Sequence, residues 1–269
     1  MNPIVLAPTS LSRAAPLEFI DAATKAGYDG IGLRMFASPG VNYPVFHTIA
    51  GDAKLTAEVK SALKDSDMKL YDALSYYMQP EMDFDAMLPS LELAAELGAD
   101  YALCIGDDPD WGRQVQNFAR FCDHAAQYGL TASLEAPVTQ RQVNTIEKAV
   151  ALITESGKQN AVICIDPFHY FRVGNKPEQL YGYDKRLFPY TQLDDGLDNE
   201  PAPRGRTAPG EGLVPLDDIL DALTPELPLS VEWSTTADSG HTSYTWAVEV
   251  MAASRKYLDG YYQRKAATK

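Results

Sequence analysis

Two hydrophobic periodicities alternate along the chain. Stretches with apolar residues three and four apart end in Gly or a polar turn. Each is followed by a short apolar run that ends on a polar residue. Within residues 17–26, Phe19, Ile20, Ala23 and Ala26 share one helical face, and Gly27 closes the helix as a residue free to take positive φ would. YDGIGLR then reads as a strand ending at Arg34. The rhythm returns as LTAEVKSALKDSD before MKLYDAL, FDAMLPSLELAAELG before ADYALCIGDD, VQNFARFCDHAAQYG before LTASLEAP, and VNTIEKAVALITESG before NAVICIDP. Later rounds are looser. Residues 176–183 predict a short helix, RLFPYTQLDD a strand, VPLDDILDALTP a helix and PLSVEWS a strand. Residues 244–257 predict a last helix, and the Lys/Ala-rich end beyond it is expected to fray.

With IVLAP at the start, about eight strands alternate with about eight helices. Such alternation implies right-handed crossovers and a parallel sheet. Strands apolar along their whole length suit burial on both faces. Eight units in about 250 residues is the size of a barrel, so the predicted fold is α/β, a single (β/α)8 TIM barrel over residues 1–269. The competitor is a doubly wound open sheet. A dinucleotide-binding version would place a Gly-rich loop after the first strand, where the chain has LAPTSLSRA. No linker divides the chain, and its longest irregular stretches, residues 37–51 and 194–212, both follow strands.

Composition narrows the function. Hydrophobic residues make up 45% of the 269 positions and charged residues 22%, an ordinary globular balance. Lys and Arg number 23 against 37 Asp and Glu, and the net charge of −14 repels phosphate backbones, which argues against nucleic acid as a partner. Cys104, Cys122 and Cys164 are odd in number and lack metal-ligand spacing, so they form neither a disulfide framework nor a zinc ribbon. Cys104 and Cys164 sit in apolar runs and read as buried thiols. The N-terminus has no basic start or long apolar stretch, and no apolar run nears the ~20 residues of a membrane span. The expectation is a soluble, cytoplasmic protein with no membrane partner.

In a barrel the C-terminal strand ends share one mouth, and active-site side chains come from there. The second strand ends in Arg34 and the fourth in Asp107 and Asp108. The fifth ends in Glu135 of SLEAP, and the sixth in Asp166 of CIDPFH, with His169 three residues on. The seventh carries Gln192 of YTQLDD, and the eighth ends in Glu232 of SVEWS. Three carboxylates gathered in one cavity disfavour each other's ionisation, and a divalent cation resolves this. Glu135, Asp166, Gln192 and Glu232 would offer it four oxygen donors, a set suited to Mn, Mg or Co. A carboxylate just past a strand also caps a following helix, the plainer use of Glu135 and Asp166. STTADSG supplies its own caps after the eighth strand, which leaves Glu232 less capping to do.

SLEAP, IDPFH, YTQLDD, the downstream PGEG and SVEWS together resemble the xylose-isomerase-like TIM barrel superfamily, along nearly the whole chain. That group holds sugar and sugar-phosphate isomerases, ketose 3-epimerases, inosose dehydratases, dehydroshikimate dehydratases and endonuclease IV. The resemblance implies that Glu135, Asp166, the seventh-strand residue and Glu232 bind one divalent metal ion, with His169 against the substrate. Its sugar epimerases usually carry His on the seventh strand, whereas Gln192 matches some of its dehydroshikimate dehydratases. The epimerases' substrate-binding Arg has counterparts in Arg204 and Arg206. Endonuclease IV holds three metals with many histidines, and this chain has four: His47, His124, His169 and His241.

These parts predict proton abstraction next to a carbonyl, with the metal as Lewis acid and Glu135 or Glu232 as base. Returning the proton gives an isomerase or epimerase of a small polyhydroxylated substrate. Loss of a β-hydroxyl, with His169 as acid, gives a dehydratase of a cyclic keto substrate. A non-catalytic sugar- or metal-binding barrel is the alternative of another class. Residues expected against substrate are Arg34, His47, Asp107, Arg204, Arg206 and Trp233. Residues 37–51 and 194–212 are long for such connections and are expected to close over the mouth. The rival use of the first loop is a homo-oligomer contact.

Overall fold

The computed structural model describes residues 1–42, 45–197, 205–234 and 240–267. The chain opens with β1 (Ile4–Leu6), α1 (Pro16–Ala26), β2 (Gly30–Arg34), α2 (Ala53–Ser66) and β3 (Lys69–Met78). It continues through α3 (Phe84–Glu96), β4 (Tyr101–Gly106), α4 (Trp111–Gln127), β5 (Thr131–Glu135), α5 (Ile146–Ser156) and β6 (Ala161–Ile163). Then come α6 (Pro167–Arg172), α7 (Pro177–Leu180), β7 (Thr191–Leu193) and a two-stranded ribbon of β8 (Asp195–Gly196) and β9 (Arg206–Thr207). The chain ends with α8 (Leu216–Ala222), β10 (Leu229–Val231) and α9 (Ser243–Ala267).

Eight parallel strands pair in the order β6-β5-β4-β3-β2-β1-β10-β7. The two ends of that sheet meet through a parallel bridge between Ile165 and Thr191, where the Gln192 N–H donates to the Ile165 carbonyl at 2.8 Å. This is the expected TIM barrel, with α-helices as the crossovers. Local sequence sets the helix starts. Asp52, Asp83, Asp110 and Thr145 each accept the backbone N–H three residues on, which satisfies a donor the helix itself leaves unpaired.

Side chains alternate across each strand, and the two faces differ in chemistry. Leu134, Ile163, Ile165, Leu193 and Val231 face outward into the large core shared with the helices. Leu74, Leu103, Ile105, Cys164 and Tyr190 form a smaller cluster of their own. Strands that look uniformly apolar in sequence thus hide polar positions, among them Asp72, Ser133, Gln192 and Ser230, all buried.

Two expectations are corrected at the C-terminal half. The predicted seventh strand shrinks to Thr191–Leu193, because Asp184 caps a 3-10 turn at Lys185–Leu187 and Pro189 offers no N–H for a ladder. Among the described residues the Lys/Ala-rich end stays helical rather than frayed: α9 runs to Ala267, since Tyr262 hydrogen-bonds Asn2, Tyr261 donates to Asp221 at 2.7 Å and Lys265 pairs with Asp221. Among the described residues, no helix is long and apolar enough to cross a membrane. Cys104 and Cys164 are buried and free, as expected, and Cys122 is buried and free as well.

Candidate active site

The barrel mouth holds a cavity of about 350 Å³ whose wall includes Thr9, Arg34, Glu135, His169, Arg206 and Glu232. Leu74, Tyr77, Ile105 and Pro137 make an apolar stretch of the same wall. Strand alternation explains the membership: Arg34 and Glu135 end β2 and β5, and Glu232 directly follows β10, all on the inward face.

Asp166 performs both tasks that its position allows. Its Oδ1 accepts the His169 backbone N–H at 2.7 Å and caps α6, while its Oδ2 accepts Nη2 of Arg206 at 2.7 Å. The cap sets His169 one short turn on, so that its Nε2 lies 3.7 Å from Asp166 Oδ2 and 4.0 Å from Glu135 Oε1. Ligand atoms of Glu135, Asp166 and His169 all fall within 4.8 Å of one another, a spacing that one metal ion can span. Gln192 donates through Nε2 to Glu232 Oε2 at 2.7 Å, and its own carbonyl oxygen is buried with no hydrogen-bond partner. Crowded carboxylates and an orphaned amide oxygen form a hard donor set, and they fit a divalent cation.

Burial and like charge shape the acids. Glu135 is pushed well above the usual carboxylate range by burial, then by the neighbouring charges of Glu232 and Asp166. Glu232 is also raised by burial, against the opposing pull of Arg206. Burial would raise Asp166 too, but the Arg206 charge and the hydrogen bonds to its carboxylate hold it below its ordinary value. Burial drives His169 down to about 4, so its ring is neutral at pH 7. Arg206 Nη2 lies 3.3 Å from His169 Nε2. A guanidinium only donates, so Nε2 accepts and the ring proton sits on Nδ1.

Two adjacent residues that sequence reasoning passed over organise this arrangement. Asp194 accepts the Phe168 N–H at 3.1 Å and pairs with Nη1 of Arg206. It thereby joins the first turn of α6 to the ribbon strand that carries Arg206. Asp195 accepts four backbone N–H groups: Gly196 at 2.8 Å and Val214 at 3.0 Å on Oδ1, Gly210 and Gly212 at 3.0 Å on Oδ2. The wrapping is so close that a Cβ at Gly212 would stand 2.2 Å from the Asp195 carboxylate. The signal in the sequence is the DDG after Gln192, which the local pattern marks only as a strand end.

The expected substrate contacts divide. Arg34 and Arg206 line the cavity, and Arg34 donates to Thr9 Oγ1 at 3.3 Å. Arg204 lies outside the described residues, as do Tyr43 and Pro44 of the first long loop. Trp233 is placed away from the cavity: it packs on Trp246 at 4.6 Å between ring centroids and lines a separate groove with Pro209 and Tyr257. Following an inward Glu232, alternation turns it outward. His47 is exposed beside a neighbouring small recess, because the loop instead buries Ile49. Asp107 is half-buried outside the cavity wall, its backbone N–H held by the Met78 carbonyl at 3.1 Å. From the first loop, Val41 and Asn42 reach the cavity.

A family model described as xylose isomerase-like TIM barrel matches residues 20–256. An inosose isomerase of Bacillus velezensis is 35% identical over 109 residues, 38% of this chain and 38% of that protein. The match thus spans about two fifths of that curated relative's length. Among solved structures, the IOLI protein with a bound zinc atom superposes with a TM-score of 0.75 at 18% identity, covering 97% of this chain and 98% of that one. The probable 3-DHS dehydratase AsbF of Bacillus anthracis gives 0.71 at 16% identity, over 95% and 99%. Likeness at such identities establishes the shared fold.

Proposed function

The chain belongs to the xylose isomerase-like TIM barrel family, and from that premise we propose that it is a divalent-metal-dependent isomerase or epimerase. Its reaction is proton abstraction from the carbon next to a carbonyl, on a small polyhydroxylated substrate. The observation that carries this reading is that two buried, raised carboxyls, Glu135 and Glu232, line one cavity, with Asp166 buried beside the first and an otherwise unpartnered Gln192 amide oxygen beside the second.

Glu135, Asp166, Gln192 and Glu232 would hold the ion, which we take to be Mn, Mg or Co. When bound, it supplies Lewis-acid stabilisation of the negative charge that develops on the substrate oxygens. Glu135 or Glu232 takes the proton. Return of that proton to the other face of the same carbon gives epimerisation, and return to the neighbouring carbon gives isomerisation. Asp166 stays ionised and fixes His169. The neutral imidazole stands beside the reacting oxygens, and Arg34 and Arg206 donate to others. The apolar stretch at Leu74, Tyr77 and Ile105 suits the C–H faces of a ring and limits water. The inosose isomerase relative and the −14 charge both agree with a small-molecule partner rather than nucleic acid.

Gln192 favours a second reading, dehydration of a cyclic keto-polyol of the dehydroshikimate or inosose type. There the same base removes the proton and returns it to the β-hydroxyl beside His169, which leaves as water, and a carbon–carbon double bond remains. The test is incubation of the Mn²⁺-loaded protein with ketoses, inosose and dehydroshikimate. A new ketose or inosose isomer by NMR supports the first reading, and a growing enone absorbance supports the second. Bound metal with no turnover across the panel would leave a non-catalytic binding barrel.

A further inference from the structure

Arg206 is buried, at 7% exposure, among acids that cannot all be charged without it. One of its nitrogens, Nη2, lies 2.7 Å from Asp166 Oδ2, 3.3 Å from Glu232 Oε1 and 3.3 Å from His169 Nε2. Asp166 and Glu232 are residues assigned to the ion, and all three atoms face the same point. Its other terminal nitrogen, Nη1, contacts Asp194, a residue outside that ligand set. The guanidinium thus has two halves with different partners. One half stands as a cation among the metal-binding atoms, and the other is anchored to a carboxylate carried just beyond β7.

A divalent ion and Nη2 cannot share Asp166 Oδ2 and Glu232 Oε1. A hard cation binds oxygen at roughly 2.0–2.2 Å. A guanidinium left at hydrogen-bond distance from the same oxygens would press one positive charge against another in a low-dielectric site. Asp194 offers a position that Arg206 keeps in either case, so the exchange needs a swing about Nη1 rather than expulsion of the side chain.

We propose that Arg206 is a built-in counter-cation that holds the divalent-ion position through Asp166 and Glu232 and is exchanged for the ion. On exchange, Nη2 leaves Asp166 and Glu232, Nη1 stays on Asp194, and the freed donor turns to the cavity where substrate oxygens bind. This rests on the reading of the site as a metal centre. Two consequences follow from charge alone. Arg206 stabilises the ion-free chain by neutralising buried carboxylates, and it weakens divalent binding because the ion must displace it.

The test compares chelator-stripped wild type with Arg206→Met, a neutral side chain of similar length, by Mn²⁺ titration calorimetry and thermal melting. Arg206→Met should bind Mn²⁺ at least about tenfold more tightly, since in wild type the ion must first break the bonds from Nη2 to Asp166 and Glu232, and the variant has no such bonds to break. Its ion-free melting temperature should lie below the wild type's, and the rise on adding Mn²⁺ should be larger. Folded Arg206→Met that binds Mn²⁺ equally or more weakly overturns the exchange. If stripped Arg206→Met does not fold, Arg206→Lys is read instead. Its single ammonium cannot hold Asp194 together with Asp166 and Glu232, so Mn²⁺ should again bind more tightly than in wild type, and affinity at or below wild type overturns the proposal. Failure of every form to bind Mn²⁺ removes the metal-centre reading itself, and the exchange with it. Equal binding by all forms removes the exchange alone.

Discussion

The Gln192 amide nitrogen donates to Glu232 Oε2 at 2.7 Å, which commits the other end of the amide, a buried carbonyl oxygen, to a place with no protein partner. A buried acceptor left without a donor costs about 1–3 kcal/mol. A cation at the site offsets that cost, and the bond to Glu232 fixes which amide atom faces it. Gln192→Leu removes the oxygen and frees Glu232 together. Its Mn²⁺ affinity should fall by about tenfold or more, roughly the worth of one such bond. Gln192→His, which keeps a lone pair for the ion, should retain most of it. Calorimetry showing wild-type affinity in Gln192→Leu would place the ion elsewhere.

His169 has a distinct pH signature. Its ordinary pKa of 6.5 applies to the unfolded chain, and burial lowers it to about 4 in the fold. Between those values the unfolded chain binds a proton that the folded chain does not, so this group's contribution to stability falls as pH drops from 6.5 to 4. Melting temperatures of wild type and His169→Asn should therefore converge on acidification, or cross, relative to their difference at about pH 7.5. At neutral pH, His169→Asn should keep its metal content and lose turnover by roughly 10²-fold, the usual weight of a positioned acid–base group. Unchanged turnover with a large drop in melting temperature would make it a packing residue.

Much of this was legible in the sequence, for a physical reason. Helix and strand periodicities are local, so the barrel and the strand-end positions of Glu135, Asp166, Gln192 and Glu232 could be read from single segments. Trp233, expected against substrate, turns outward instead, and the period of two that aims Glu232 inward carries the signal for that turn. What no local pattern encodes is the fold of residues 194–197 and 205–212. The antiparallel pairing of Asp195 with Thr207 carries Arg206 back under the mouth. The partners of Asp194 and Asp195 are backbone and side-chain groups brought there by the tertiary fold. Asp166 shows the converse, since its helix-capping and ionic roles look like alternatives in sequence and coexist on its two oxygens.

Asp72 sits inside the barrel with Tyr190, whose hydroxyl lies 3.3 Å from Asp72 Oδ2 and 2.9 Å from Ser133 Oγ. Burial raises the Asp72 carboxyl to about 7, and one of its oxygens has no hydrogen-bond partner. Its folded pKa exceeds the unfolded one, so its favourable contribution is complete at low pH and is lost as pH rises from about 4 to about 7. Each pH unit across that window is worth about 1.4 kcal/mol. Asp72→Asn should thus gain melting temperature relative to wild type at about pH 8 and gain little at about pH 4. A difference independent of pH would mean that Asp72 is charged in the fold.

Asp195 is predicted to control the loop that presents Arg206. Asp195→Ala strands four backbone donors that now share one carboxylate, at about 1 kcal/mol or more for the set. Hydrogen exchange should accelerate at Gly210, Gly212 and Val214, and turnover should fall while the far side of the barrel, at β3 and β4, keeps its protection. Uniform acceleration across the barrel would indicate global destabilisation instead.

The central claim is metal-dependent removal of a proton next to a carbonyl, and solvent exchange reads it most directly. Mn²⁺-loaded protein is incubated in D₂O with the ketose, inosose and dehydroshikimate panel, and deuterium at the carbons beside the carbonyl is followed by NMR. Incorporation at one such carbon of a turned-over substrate is expected, abolished by chelation and by Glu135→Gln or Glu232→Gln. Turnover that proceeds undiminished in the chelated protein, or in both carboxylate variants, would contradict the account.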